Sequence, residues 1–230
     1  MAISVEFLYN QTQDLAAKNQ SGYQTTEEFN NSLLSAQNAI FKYYYQQFEQ
    51  TQEILDALRP FIKTETLSLT PSAFYSSSQL PSDYRHRLEV SYVYTTNNDC
   101  GQGVTSELQS VDYMQTDEVA STLSNAIRKP SIPKKILRHT LEGNLIKVFP
   151  PVQSVDIKYL RNPITPVYAT TLVSNADGDF EQFDAANSVD LEWGEQETET
   201  FINVLLMQLG FEIKDSELIQ YSQLKRQFLQ

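Results

Sequence analysis

Acid–base or nucleophilic chemistry near neutral pH would have to start at two histidines, His86 and His139, or at the single cysteine, Cys100. A hydrolytic site needs a nucleophile beside a base that a third group orients. No Gly-x-Ser-x-Gly turn surrounds any serine. Asp83 stands three residues before His86, but Arg85 and Arg87 flank that histidine, which reads as a surface or strand-edge residue. A lone cysteine can form neither an internal disulfide nor a thiolate metal cluster. Metal chemistry has one foothold, the run Asn175, Asp177, Asp179 and Glu181, which looks like the opening of a calcium loop. An EF-hand places glycine sixth and glutamate twelfth, whereas here Gly178 is fourth and Ala186 twelfth, so the run reads as a hairpin turn. Neither phosphate-cradling glycine pattern occurs. Glu192, Glu195, Glu197 and Glu199 crowd together without a pocket signal and read as a helix start, with Trp193 as a packing anchor beside them. The chain therefore reads as non-enzymatic, with no cofactor and no metal implied.

The elements around these residues follow from periodicity. A first helix is expected from Ser4 to about Ala17, with Val5, Leu8, Leu15 and Ala16 on one stripe, and a break at Asn19–Gly22. Thr25 or Thr26 then caps a long helix. Phe29, Leu33, Ala36, Ile40, Tyr44, Phe48, Thr51, Leu55 and Leu58 recur every three or four residues until Pro60 stops it. About 33 residues at 1.5 Å each predict a strut of roughly 50 Å. Its other face carries amides: Asn30, Asn31, Gln37, Asn38, Gln46, Gln47, Gln50 and Gln52. Such a strut packs either as a hairpin within the chain or against neighbouring copies.

Strands are expected at 85–95, where Leu88, Val90, Tyr92 and Tyr94 alternate, and at 107–113, 145–149, 156–160, 167–173 and 180–183; 64–70 alternates only weakly. Asp177-Gly178 would centre the last hairpin. A short helix is expected from Thr116 to Ile127. Two helices close the chain, about 195–208, stopped by Gly210, and about 215–228, capped by Asp215. The expected fold class is α+β: a long N-terminal helix in a helical hairpin, a small mainly antiparallel sheet, and two C-terminal helices. The segments are a helical region 1–62, a β-rich region 63–190 with a basic linker, and a C-terminal helical pair 191–230.

Composition narrows the function classes. The 230 residues are 40% apolar and include 12 Phe and 13 Tyr, which excludes wholesale disorder. No run approaches the roughly 18–20 apolar residues of a membrane helix, and the first residues lack the basic start of a secretion signal. A net charge of −12 argues against a sequence-specific nucleic-acid binder. The charge is segregated. Residues 128–161 hold eight basic and two acidic residues, a net +6, and residues 177–217 hold twelve acidic and one basic, a net −11. Complementary faces of this kind suit contact between copies of one chain, and a head-to-tail contact whose rotation closes makes a ring.

A string of landmarks spans nearly the whole sequence: Phe29-Asn30, Gln37-Asn38-Ala39, Leu58-Arg59-Pro60-Phe61, Leu80-Pro81-Ser82-Asp83-Tyr84-Arg85-His86 and Lys129-Pro130-Ser131-Ile132-Pro133. Further on stand Tyr159-Leu160-Arg161-Asn162-Pro163-Ile164-Thr165-Pro166-Val167-Tyr168, Ser188-Val189-Asp190-Leu191-Glu192-Trp193, Leu205-Leu206-Met207-Gln208-Leu209-Gly210-Phe211 and Glu217-Leu218-Ile219-Gln220-Tyr221. In their joint order they resemble a family of virion structural proteins of Bacteroidetes phages, including crAss-like phages. The resemblance implies a head–tail connector protein, a ring stacked below the portal, and it brings no active-site residues.

The sequence thus reads as a neck subunit that forms a homo-oligomeric ring around the DNA channel, of twelve copies by analogy with portal-associated rings. Its partners would be itself, the portal and neighbouring neck or tail proteins. Genome DNA would only pass through, no membrane would be involved, and the location would be the virion, assembled in the host cytoplasm. Interface candidates are Phe29, Leu33, Ile40, Tyr44, Phe48, Lys134, Lys135, Arg138, Arg161 and Trp193. A rival reading is another virion component, a capsid accessory or tail protein acting as a binding module. A third is a divalent-metal hydrolase built on the acidic loop.

Overall fold

The computed structural model of the chain describes residues 2–18, 25–48, 52–97, 104–175 and 178–208. Its elements run β1 (Ala2–Ile3), α1 (Val5–Lys18), α2 (Thr26–Gln46), α3 (Gln52–Leu58), β2 (Ile62–Ser68), β3 (Thr70–Pro71), β4 (Ser76–Gln79), β5 (Tyr84–Asn97), β6 (Val104–Ser110) and β7 (Asp112–Tyr113). They continue with α4 (Val119–Ser124), β8 (Arg138–Glu142), β9 (Leu145–Phe149), β10 (Ser154–Arg161), β11 (Thr170–Asn175), β12 (Gly178–Phe183), β13 (Leu191–Gly194) and α5 (Thr198–Gln208). The chain divides into two units, one formed by Met1–Pro60 with Pro163–Gln230, the other by Phe61–Asn162.

This architecture corrects the expected one. Among the described residues there are five helices and thirteen strands in four sheets, so strand dominates. The expected strut of about 33 residues is two helices, α2 of 21 residues and α3 of 7. The apolar stripe runs across both, which is why periodicity could not reveal the break. At the end of α2 the N–H groups of Gln47 and Phe48 donate to Tyr44 O and Tyr45 O, three residues back, at 3.2 Å each. That tightened turn follows three consecutive tyrosines, which are weak helix formers. The expected helix 116–127 shrinks to a 3₁₀ turn, Thr116–Glu118, and the six residues of α4. The expected second C-terminal helix, Gly210, the Asn19–Gly22 break, Cys100 and Asp177 lie outside the described residues. The sheets are larger than expected because several strands carry few apolar residues: β4 reads Ser-Ser-Ser-Gln and β6 reads Val-Thr-Ser-Glu-Leu-Gln-Ser.

In the second unit β10 is the pivot. The four-stranded sheet runs β2-β10-β5-β6, antiparallel throughout. The five-stranded sheet runs β3-β4-β9-β8-β7, antiparallel except for β7 with β8. Their side chains join in one core, including Leu67, Val90, Val155, Ile157 and Tyr159 from the first sheet and Ile146 and Val148 from the second. Along β10 residues 155, 157 and 159 are buried while 154, 156 and 158 are not, the period-2 pattern of a strand with one face inward. Buried Ser76 Oγ accepts from the Val152 N–H at 3.0 Å, so that backbone donor is satisfied inside the core.

In the first unit α2 starts with a capping box. Thr25 Oγ1 accepts from the Glu28 N–H at 3.3 Å and the Glu28 carboxylate accepts from the Thr25 N–H at 3.1 Å. Its buried face is Phe29, Leu33, Ala36, Gln37, Ile40 and Phe41. Trp193, wholly buried, lies 6.3 Å from the Phe41 ring and 5.7 Å from the Phe201 ring, both edge-on. A two-stranded β1–β13 pair and the β11–β12 hairpin complete this unit.

Ile157 is fully buried at the centre of the second unit's core. Ile157→Ala is expected to destabilise the protein by about 2–5 kcal/mol, because the vacated volume collapses only in part. Urea titration of the variant against the parent chain checks it.

Candidate functional site

Among the described residues, titratable side chains come together in two places. At one end of the four-stranded sheet, the hydroxyl of buried Tyr159 donates to Asp83 Oδ1 at 2.8 Å and lies 3.2 Å from a Glu65 oxygen. Lys63 Nζ sits 3.2 Å from Asp83 and 3.3 Å from Glu65. Burial, and then the bond to Asp83, push the Tyr159 hydroxyl up to about 12. Burial opposes ionisation of Asp83, but the bonds from Tyr159 and Lys63 outweigh it and leave its carboxyl below the ordinary value. The Lys63 ammonium is raised by its bonds to Tyr159, Asp83 and Glu65. The four side chains tie β2, the loop before β5 and β10 together. Asp83 thus turns to Tyr159 and Lys63, the pairing that its spacing to His86 did not suggest.

His139 is buried on β8. Arg87 Nη1 stands 2.8 Å from its Nε2, and Val111 O stands 2.9 Å from its Nδ1. A guanidinium only donates, so Nε2 accepts and Nδ1 carries the proton. The Arg87 guanidinium also lies over the Tyr113 ring, 4.1 Å from its centre. Burial, and then the charge of Arg87, hold the imidazole down to about 4. His139 is therefore a neutral clamp between β5, β8 and the residue before β7. Nothing local in the sequence marks it, since Arg87 is 52 residues away. His86, half-buried, is also lowered, by burial and by Arg85.

The landmark segments converge within each unit. In the second unit the Leu80–His86 run and the Tyr159–Asn162 run lie side by side, with Leu160 opposite His86 and Arg161 opposite Tyr84. The Asn162 N–H donates to Asp83 O at 2.7 Å. In the first unit the Asn30 amide grips the backbone of Tyr168, donating to its carbonyl at 2.9 Å and accepting from its N–H at 2.8 Å. Gln37 donates to Ile164 O at 3.0 Å, and Glu192 accepts from the Ile164 N–H at 2.8 Å. The Asp190 carboxylate accepts from the Val5 N–H at 2.9 Å, at the start of α1. Tyr168 stacks on Tyr9 at 4.0 Å and on Phe183 at 5.2 Å.

The interface candidates separate into two groups. Phe29, Leu33, Ile40 and Trp193 are buried inside the chain's own core, so the contact with neighbours expected of them is already made internally. Tyr44 is half-buried, and its hydroxyl donates to the buried carboxylate of Glu197. Phe48 is half-buried against Tyr45. Lys134 and Lys135 are exposed, while Arg138 and Arg161 are half-buried, the latter with its guanidinium 5.7 Å from the Phe61 ring.

Two charged surfaces remain outward. The cationic one is an ordered loop. Asn125 Oδ1 accepts from the N–H groups of Ile127 and Arg128, Ser131 and Ile136 bridge through their backbones, and Lys135 takes a positive φ of 53°. The loop presents Arg128, Lys129, Lys134 and Lys135, of which Lys135 pairs with Glu107 on β6. Lys147 pairs with Glu142, so part of the expected +6 is matched within the chain. The acidic surface is the β11–β12 hairpin, on which Asp179 and Glu181 are exposed. Thr26 and Thr170 hydroxyls donate to Glu181, at 3.1 and 3.3 Å. A groove of about 350 Å³ near the hairpin is lined by Tyr9, Asn10, Gln13, Asp14, Tyr168, Thr170 and Glu181, with no nucleophile beside a base. Among the described residues no group of three or more His, Cys, Asp or Glu is placed to hold a metal ion, and no helix is long and apolar enough to cross a membrane.

No protein-family model matches the chain, and no curated protein sequence matches it.

Two outcomes are expected here. Tyr159→Phe removes one of two side-chain donors to the partly buried Asp83, leaving Lys63, and costs about 1–2 kcal/mol in urea titration. For His139 the folded value lies below the ordinary 6.5, so the unfolded chain takes the proton first. Its contribution is complete above pH 6.5 and lost as pH falls toward 4, by about 3 kcal/mol. Thermal melts of the parent and of His139→Gln across that range read it as the difference between the two slopes.

Proposed function

We propose that the chain is a structural protein of a Bacteroidetes phage virion, of the crAss-like kind, serving as a head–tail connector subunit. It assembles as a ring below the portal, around the channel through which the genome passes. The observation that carries this reading is the pair of unlike surfaces. An ordered cationic loop offers Arg128, Lys129 and Lys134, and an acidic hairpin offers Asp179 and Glu181. A heterologous ring needs two different, complementary patches on every copy. The resemblance of the landmark segments to that virion family is the second support for the reading. The net charge of −12 suits a channel that lets phosphates slide past rather than bind.

Native mass spectrometry with negative-stain imaging tests the reading. Twelve copies at 26.3 kDa give a closed species of about 316 kDa. Charge reversal of Lys134 and Lys135 together is expected to weaken assembly and to make what remains less sensitive to salt. Unchanged assembly in that variant would remove the charge pairing. A chain that neither forms a ring nor binds a portal would remove the connector role.

A further inference from the structure

The ring reading leaves open which strands meet, and the sheet edges point to an answer. Among the described residues β6 pairs only with β5, so the outer edge of β6 is open. Among the described residues the β11–β12 hairpin pairs with no further strand, which leaves the outer edge of β12 open as well. Open edges carry unpaired N–H and C=O groups and accept another strand readily.

The side chains on the two edges match face by face. Leu108 on β6 stands opposite Val93 on β5, and both are exposed, at 70% and 45%. The neighbouring Glu107 stands opposite Tyr94 on the other face, where Lys135 of the cationic loop pairs with Glu107 and lies 5.5 Å from the Tyr94 ring. On β12, Phe180 stands opposite Val173 and is 47% exposed, while Asp179 and Glu181 take the opposite face. Around Leu108 and Phe180, strand alternation therefore puts an exposed apolar side chain on one face and charge on the other, with Leu172 and Phe183 sharing the charged face of the hairpin. When β12 lies along β6 with Phe180 beside Leu108, Asp179 and Glu181 fall on the face of Glu107, where the cationic loop with Lys134 and Lys135 must answer all three carboxylates.

We propose that β12 of one copy adds to the open edge of β6 in a second copy, and that this strand addition is the repeating contact of the ring. It rests on the ring reading above and specifies its interface. The contact is heterologous: each copy gives a hairpin to one neighbour and an edge to the other.

Phe180→Asp and Leu108→Asp test the two halves in the full-length chain. Both positions are exposed, and circular dichroism and the melting temperature verify that the variants fold. Each variant alone is expected to self-associate at least tenfold more weakly than the parent in sedimentation velocity. An equimolar mixture is expected to give a two-chain species, because the Leu108→Asp copy keeps its hairpin and the Phe180→Asp copy keeps its edge. Asp179→Lys is expected to weaken assembly, and Lys134→Glu in the same chain to restore part of it. Parent rings with both variants unchanged, or a mixture that gives no two-chain species, would overturn the strand addition and leave the ring reading intact. A parent chain that stays monomeric at every accessible concentration overturns the strand addition, and failure to bind a portal as well would remove the connector reading.

Discussion

The second unit depends on one strand finding backbone partners on both sides. β10 pairs with β2 along one edge and with β5 along the other, and Val155, Ile157 and Tyr159 point from it into the core. A shift of one residue would turn all three to solvent, so the burial fixes the register. Against β5 the register shifts between Lys158 and Tyr159 and again between Leu160 and Arg161, and Tyr159 and Leu160, though adjacent, are both wholly buried. With Tyr159 so placed, its hydroxyl reaches Asp83, and the Asn162 N–H just beyond the strand reaches Asp83 O. The loop before β5 and the end of β10 are thereby tied at one residue.

The first unit meets a different constraint. Residues 163–169 form no strand beyond a single bridge at Val167 and contain Pro163 and Pro166, which have no N–H to give to a ladder. Their remaining backbone groups still need partners. Asn30 satisfies both backbone groups of Tyr168, as a neighbouring strand would, and Gln37 and Glu192 satisfy those of Ile164. Two of the helix amides, Asn30 and Gln37, thus serve as hydrogen-bond partners of a proline-containing segment.

Legibility in the sequence follows from this physics. β9 matches its expected span, 145–149, and β5 and β10 extend theirs by one or two residues at each end, because alternation of Leu, Val, Ile and Tyr with polar residues is strong there. β4 and β6 were hidden or blurred, since serine, threonine and glutamine carry no alternation signal, and neighbouring strands decide their pairing. The break between α2 and α3 was hidden because the stripe of apolar residues continues through it. Phe29, Leu33, Ile40 and Trp193 read equally well as interface or as core, because periodicity shows that a face is buried and not what buries it. The Arg87–His139 clamp and the Tyr159–Asp83 bond had no sequence signal, being contacts across 52 and 76 residues.

Electrostatics then selects among the ways two copies can meet. Each chain carries −12, so two copies repel in most orientations. At physiological salt the field of one body fades over ~8 Å, so only charges brought close together count. A symmetric contact of acidic hairpin on acidic hairpin sets Asp179 and Glu181 against their own copies, and a contact of loop on loop does the same for Arg128, Lys129 and Lys134. A contact of loop on hairpin, as in the proposed ring, sets unlike charges against each other within that range. Exposed ion pairs add little affinity, roughly 0–1 kcal/mol each, so their effect is on orientation. In the proposed ring, affinity would have to come from apolar contact and backbone pairing, which Phe180 and Leu108, beside strand edges left unpaired among the described residues, could supply.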